Sequence, residues 1–265
     1  MKQYLELLQH VLDKGQSKQS RGLYPLKSTF GYQMRFDLRK GFPIVTTKRM
    51  PFRTMTRELL WFISGESNIK SLQKYKIKYW DKLADEKGDL GPVYGAQWRH
   101  WPDYQQGEVD QLQNVIDEIK NTPDSKAMTV NAWNPAQTKD MRLPPCHMMF
   151  QFNVTKGKLR MQLYQRSADV FLGVPFNISQ YALLLIMVAH VCQLKPREFI
   201  HTIGDAHIYT NHIEPAKEQL ERKPLRLPLV KIKKRIKSID DFHIDDFELV
   251  NYQHHPHIPA DLVVV

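Results

Sequence analysis

Apolar residues recur along this chain at two spacings, near 3.6 positions and near two, and the switches between them lay out the expected elements. Leu5, Leu8, Val11 and Leu12 share one helical stripe, as do Leu112, Val115, Ile116 and Ile119. Pro51 can open a helix at its first position, and 54–63 continues it with Leu59, Leu60 and Phe62. Positions 30–38 alternate as a strand does, and 129–133 predicts a short one. Segments 147–154 and 158–165 read as two strands joined by a tight turn at Lys156-Gly157, which sets His147 opposite Arg166. A nearly unbroken apolar run over 178–192 predicts a helix buried on most sides, short for a comfortable membrane span. Strands over 199–203, 229–232 and 247–252 follow. Helices and strands interleave irregularly, so the expected fold is α+β: a single domain, 1–265, on a large mixed β-sheet with flanking helices.

Composition narrows the class. A chain of 265 residues, 42% hydrophobic and 25% charged, has the profile of a soluble globular protein able to bury a substantial core. Two cysteines give neither a disulfide framework nor a metal-ligand pair, which points to a reducing compartment. The first residues lack the apolar core and cleavage site of a secretory leader, so the expected location is cytoplasmic. A net charge of +10 draws anionic partners, either nucleic acid or small substrates. Part of it lies in 231–237, where Lys231, Lys233 and Arg235 alternate with Val230, Ile232 and Ile236 as on the solvated face of a strand. With no zinc-finger spacing, RNA-binding aromatic signature or long basic arm, a nucleic-acid-binding protein is the lesser reading. His254, His255 and His257 are interrupted by Pro256 and have no cysteine or carboxylate trio nearby, so no metal is expected.

Residues fit for chemistry gather in PPCH (144–147) and YQRSADVFLGVPFN (164–177). Two prolines keep Cys146 out of regular structure, and the hairpin brings the Arg166 guanidinium beside it. A fixed positive charge there favours thiolate over thiol. Cys192 is an internal control, because it ends the apolar run and belongs in the core, the usual place of a free cysteine. Cys146 is the candidate nucleophile.

Together with GFPIVTTK (41–48), ELLWF (58–62), GDLGPVYG (88–95), AWN (132–134) and GDAHIY (204–209), these segments resemble the thymidylate synthase family nearly end to end. The resemblance implies a homodimer with shared sites. It also implies transfer of a one-carbon unit from 5,10-methylenetetrahydrofolate to C5 of a pyrimidine nucleotide. Uracil C5 is a poor nucleophile until a group adds at C6, the role implied for Cys146. Arg166 would support the thiolate and, with Arg21, Ser167 and a Lys126 lent across the dimer, hold the phosphate. Glu58 would move protons through ordered water, burial raising its pKa, where the bland alternative is a surface helix carboxylate. Tyr94 would assist loss of the C5 proton. Asn177 offers a donor and an acceptor that match O4 and N3–H of uracil, where an aspartate would suit cytosine. N-capping of the following helix is a compatible second role. His207 and Tyr209 would contact the sugar hydroxyl. Trp80, Asp169, Leu172, Gly173, Phe176 and Val265 would form the folate surface, with Asp169 accepting from the pterin. His147 would fix the cysteine turn.

Departures from the family gather at the phosphate. A Thr- and Gly-rich loop usually follows the arginine at position 21, and here the loop reads GLYPL (22–26). The two adjacent arginines lent by the neighbour are Lys126 and Ala127 here. Lysine keeps the charge but loses the bidentate fork. Each lost charged hydrogen bond is worth roughly 1.5–3 kcal/mol, or about tenfold or more in phosphate affinity. Leu83 stands where bacterial members commonly have tryptophan and Pro51 where they have histidine, and the tail 259–265 differs in composition from the family's lid. The expected reaction is dUMP to dTMP. The alternative is a hydroxymethylase of the same family, in which water rather than hydride completes the product.

Overall fold

The structure, a computed structural model, describes residues 1–20, 22–105 and 107–263. In chain order these form α1 (Lys2–Lys14), β1 (Gln16–Lys18), β2 (Leu26–Asp37), α2 (Phe52–Ile63), α3 (Lys70–Gln73), α4 (Gly95–Arg99), β3 (Trp101–Pro102), β4 (Glu108–Val109) and α5 (Gln111–Asn121). Then follow β5 (Thr129–Asn131), β6 (His147–Thr155), β7 (Lys158–Asp169), α6 (Gly173–Val191), β8 (Lys195–Tyr209), α7 (Ile213–Glu221), β9 (Leu229–Ile232) and β10 (Phe247–Val250). Six strands make one sheet in the order β1-β2-β8-β7-β6-β5. Only the β7–β8 pair within it is parallel, which makes the sheet mixed, with helices flanking it as expected.

That parallel pair follows from α6, since parallel neighbours need a crossover and an apolar helix supplies one. The helix is long and apolar enough to cross a membrane, yet 83% of its apolar window is buried inside the protein. It begins at Gly173, five residues before the expected start, directly after a turn in which Asp169 Oδ1 accepts from the N–H groups of Phe171 and Leu172. The α5 stripe is buried as expected. On α1, Tyr4 and Leu7 join Leu8 and Val11 in the core, while Leu5 and Leu12 are only partly buried.

The β6–β7 hairpin turns through Lys156 (φ 51°) and Gly157 (φ 68°), the two left-handed residues of a type I′ loop. From Thr155↔Lys158 to Met149↔Tyr164 the pairing is as expected, but a bulge between His147 and Met149 shifts it by one. His147 therefore faces Gln165, not Arg166, and the Arg166 N–H donates to the Cys146 carbonyl at 2.8 Å. A bulge re-aims side chains without ending the pairing. β8 runs through Asp205 and His207 to Tyr209, well beyond the expected 199–203. Gly204 allows this, because a Cβ there would lie 2.9 Å from the Arg166 carbonyl oxygen and 3.0 Å from Tyr164 Oη. Smaller differences are a β2 that starts at Leu26, a β5 that stops at Asn131, a β10 that stops at Val250, and an α2 for which Pro51 is the N-cap.

Candidate active site

Most of the expected site residues line one cavity of about 700 Å³. Around it stand Glu58, Trp80, Tyr94, Cys146, Arg166, Ser167, Asp169, Leu172, Gly173, Phe176, Asn177, His207 and Tyr209. Lys126 does not line it in this single chain, and Arg21 and Val265 lie outside the described residues. Tail residues Leu262 and Val263 reach its wall, and Lys18, Gln19 and Ser20 approach it just ahead of the 22–26 loop.

Cys146 ends the Pro-Pro turn and is partly exposed to the cavity. Arg166 grips that turn, donating Nε to the Pro145 carbonyl at 2.9 Å and Nη2 to the Pro144 carbonyl at 2.8 Å. The Cys146 N–H donates to Tyr94 Oη at 3.0 Å. Burial first, and the charge of Cys146 next, hold the Tyr94 phenol well above its usual range. Tyr94 itself has φ 32°, a sparsely populated conformation for a residue with a side chain, and such strain is found at functional sites. Cys192 differs: its thiol is pushed up to about 11 by burial, although it sits at the rim of the core and not within it as expected.

Glu58 is 6% exposed, which overturns the surface-carboxylate alternative. It accepts from Trp80 Nε1 at 2.7 Å and from Gln180 Nε2 at 2.6 Å. Burial raises its pKa and these bonds oppose the shift. Asn177 is not an N-cap: it lies inside α6, whose capping residue is Leu172. Its Oδ1 accepts from Gln165 Nε2 at 3.0 Å, and its Nδ2 lies 3.2 Å from His147 Nε2. His147 Nδ1 is 3.1 Å from Tyr181 Oη, and burial, with the Arg166 charge, lowers its pKa to about 3. The ring is neutral at neutral pH.

At the other end of the cavity His207 Nδ1 lies 3.0 Å from Asp205 Oδ1. The hydrogen bond from His207 leads the causes that hold this carboxyl well below its usual range, with bonds from Lys18 and Ser28 adding to it. Asp169 Oδ1 accepts from the N–H groups of Phe171 and Leu172 at 2.9 and 3.1 Å, shaping the entry to α6. Behind that turn Lys48, 4% exposed, donates Nζ to the Phe171 carbonyl at 2.7 Å and sits 3.6 Å from the Phe171 ring centroid. Burial lowers its pKa to about 7, against the attraction of Asp169. Trp80, Leu83, Leu143, Leu172 and Phe176 give the cavity an apolar lining, which also includes the Asp169 carboxylate.

Sequence reasoning missed Gln180 and Gln165. Gln180 follows Asn177 by three helical positions and so shares its face, which is a readable signal. Gln165 adjoins Arg166, but its part depends on the bulge and on the parallel neighbour strand.

A mixed sheet brings a turn-borne thiol, a buried carboxylate and an oriented carboxamide to one cavity, a constellation suited to an enzyme site of the group-transfer class. The thymidylate synthase family model matches residues 2–264, nearly the whole chain, and the chain belongs to the thymidylate synthase family. It is a folate-dependent one-carbon transferase acting on a pyrimidine nucleotide, with methylenetetrahydrofolate as co-substrate.

Proposed function

We propose that the chain methylates C5 of a uracil nucleotide, converting dUMP to dTMP through a covalent bond from Cys146 to C6. The carrying observation is the facing of Asn177: Oδ1 is tied to a donor and Nδ2 to an acceptor, so the carboxamide has a fixed sense along the cavity wall. With one acceptor site left on Oδ1 and one proton left on Nδ2, it complements N3–H and O4 of uracil. Arg166, bound to both carbonyls of the turn ahead of Cys146, would supply positive charge for the thiolate and, with Ser167, for an incoming phosphate. Addition of the thiolate makes C5 electron-rich; 5,10-methylenetetrahydrofolate would supply both the carbon that C5 takes and the hydride that completes the methyl group, leaving as dihydrofolate, while C5 loses its proton and the Cys146–C6 bond breaks to free the product. Tyr94 and Glu58 then handle the protons: the phenol accepts from the Cys146 N–H, and burial raises the Glu58 carboxyl above its ordinary value, the direction a general acid–base group needs. His207, its Nδ1–H fixed on Asp205, and Tyr209 meet the sugar hydroxyl.

A homodimer belongs to the same reading. The sheet face carrying Gln33, Thr202 and Gln162, joined by hydrogen bonds of 3.0 and 3.3 Å, is exposed in the single chain, and Lys126 would come from the neighbour. Leu83 on the cavity wall, smaller than tryptophan, favours one second reading, in which water reaches the one-carbon unit and the product is hydroxymethylated. Turnover of uracil and cytosine nucleotides, ribo and deoxy, with methylenetetrahydrofolate and mass detection tests both. A methylated dUMP product is expected; a product one oxygen atom heavier would replace it with the second reading.

A further inference from the structure

Asn177 alone cannot choose between uracil and cytosine. Turned by 180°, the same carboxamide would set Oδ1 against the cytosine amino group and Nδ2–H against N3. We infer that the choice of base is made one layer back, by Gln165 and His201, which fix the direction in which Asn177 faces. The inference rests on the proposed nucleotide reading and names positioning residues within it.

His201 is fully buried on β8, with Nε2 2.8 Å from Gln165 Oε1. A carboxamide oxygen only accepts, so His201 Nε2 carries the proton. On its other side Gln165 Nε2 donates to the Ser167 carbonyl at 3.0 Å, and a carbonyl also only accepts. Gln165 is therefore held at both ends and must offer N–H to Asn177 Oδ1. Asn177 Nδ2 then donates to His147 Nε2, and His147 Nδ1–H donates to Tyr181 Oη. Burial keeps both histidines neutral, with pKa values of about 3. The donors thus run one way, from His201 to Tyr181.

The two neighbours of Asn177 differ in what they tolerate. If Asn177 turned over, His147 could follow by moving its proton to Nε2 and accepting from Tyr181. Gln165 could not follow, because reversing it would set its oxygen against the Ser167 carbonyl, and it would force His201 to move its proton from Nε2 to an Nδ1 that has no partner among the described residues. A turned Asn177 would press Nδ2–H against Gln165 Nε2–H, leaving buried donors without acceptors. The lock is Gln165, fixed by the Ser167 carbonyl and braced at its other end by His201.

Gln165→Glu tests this directly. Charged or protonated, the introduced carboxyl offers an acceptor toward Asn177, since a protonated carboxyl can donate to the Ser167 carbonyl and still accept on the same oxygen. His201→Phe is the second variant, removing the brace without adding charge. Dissociation constants for dUMP and dCMP are measured on the same preparations, with unfolding curves to confirm folding. The ratio of the two constants is the readout, because a merely structural loss weakens both nucleotides together. Wild type is expected to favour dUMP; Gln165→Glu is expected to lose that preference by about a hundredfold, and His201→Phe by about tenfold. If wild type selects dUMP and either folded variant keeps the full preference, the inference falls while the nucleotide reading stands. If wild type binds neither nucleotide, the reading beneath it falls and takes the inference with it.

Discussion

Replacing Lys48 by methionine should change how the stability of the protein responds to pH. Lys48 has an ordinary value of 10.5 when unfolded and about 7 when folded, with burial the leading cause. Between those values the unfolded chain binds more protons at this site than the folded one, so stability rises as pH rises. It is fully present above 10.5 and is lost as pH falls toward 7. From pH 7 to pH 9 the difference in bound protons grows from about a half to nearly one, which amounts to about 2 kcal/mol at 1.36 kcal/mol per unit. Methionine has a similar length and no charge, so Lys48→Met should lack this gain, although it also loses the hydrogen bond to the Phe171 carbonyl. Urea unfolding of both proteins at matched concentration, at pH 7, 8 and 9, isolates this contribution as a difference, because every other titrating group is shared. Wild type should gain about 2 kcal/mol on the variant across that window. Parallel profiles would refute the reasoning, for they would mean that Lys48 keeps its proton in the folded protein.

Cys146→Ser should abolish turnover and the covalent complex with a 5-fluoropyrimidine nucleotide while leaving the unfolding curve in place; Cys192→Ala, at the edge of the core, should alter stability alone. Glu58→Gln should lower kcat by about 10²–10⁴-fold, the range of general acid–base catalysis. Because burial raises that carboxyl, the wild-type pH–rate profile should show a limb above the ordinary glutamate range that the glutamine variant lacks. Lys126→Arg with Ala127→Arg should lower the KM for dUMP more than it changes kcat, since the phosphate is remote from C5 and contributes mainly uniform binding; an unchanged KM would place these two residues away from the phosphate.

The sequence disclosed what depends on local periodicity and lost what depends on strand neighbours. The stripe from Leu112 to Ile119 and the Lys156-Gly157 turn are local patterns, and both stand as read. The bulge beside Met149 has no local signature, so the facing of His147 and Arg166 expected from the turn is one residue off. A polar residue such as Asn177 favours a helix start, but the Asp169 side chain already serves the N–H groups of Phe171 and Leu172, and α6 begins earlier. The His201–Gln165 bond joins two strands paired in parallel across a whole helix, a distance that no pattern of neighbours spans. Cys146 stands out by its Pro-Pro turn, and Glu58 and Asn177 by the family resemblance; all three line the one cavity.

Helix α6 is at once the crossover that makes the sheet mixed, the centre of the core and the wall that bears Gly173, Phe176, Asn177 and Gln180. A substitution on that wall must satisfy packing on every other side of the same helix. Leu23, 82% exposed, and the pair Lys126-Ala127, exposed in the single chain, carry no such obligation within the chain. Substitutions at those exposed positions therefore meet fewer constraints inside the chain than substitutions on the α6 wall. A chain built on this scaffold can change at its exposed turns long before it can change along the helix that joins its core to its cavity.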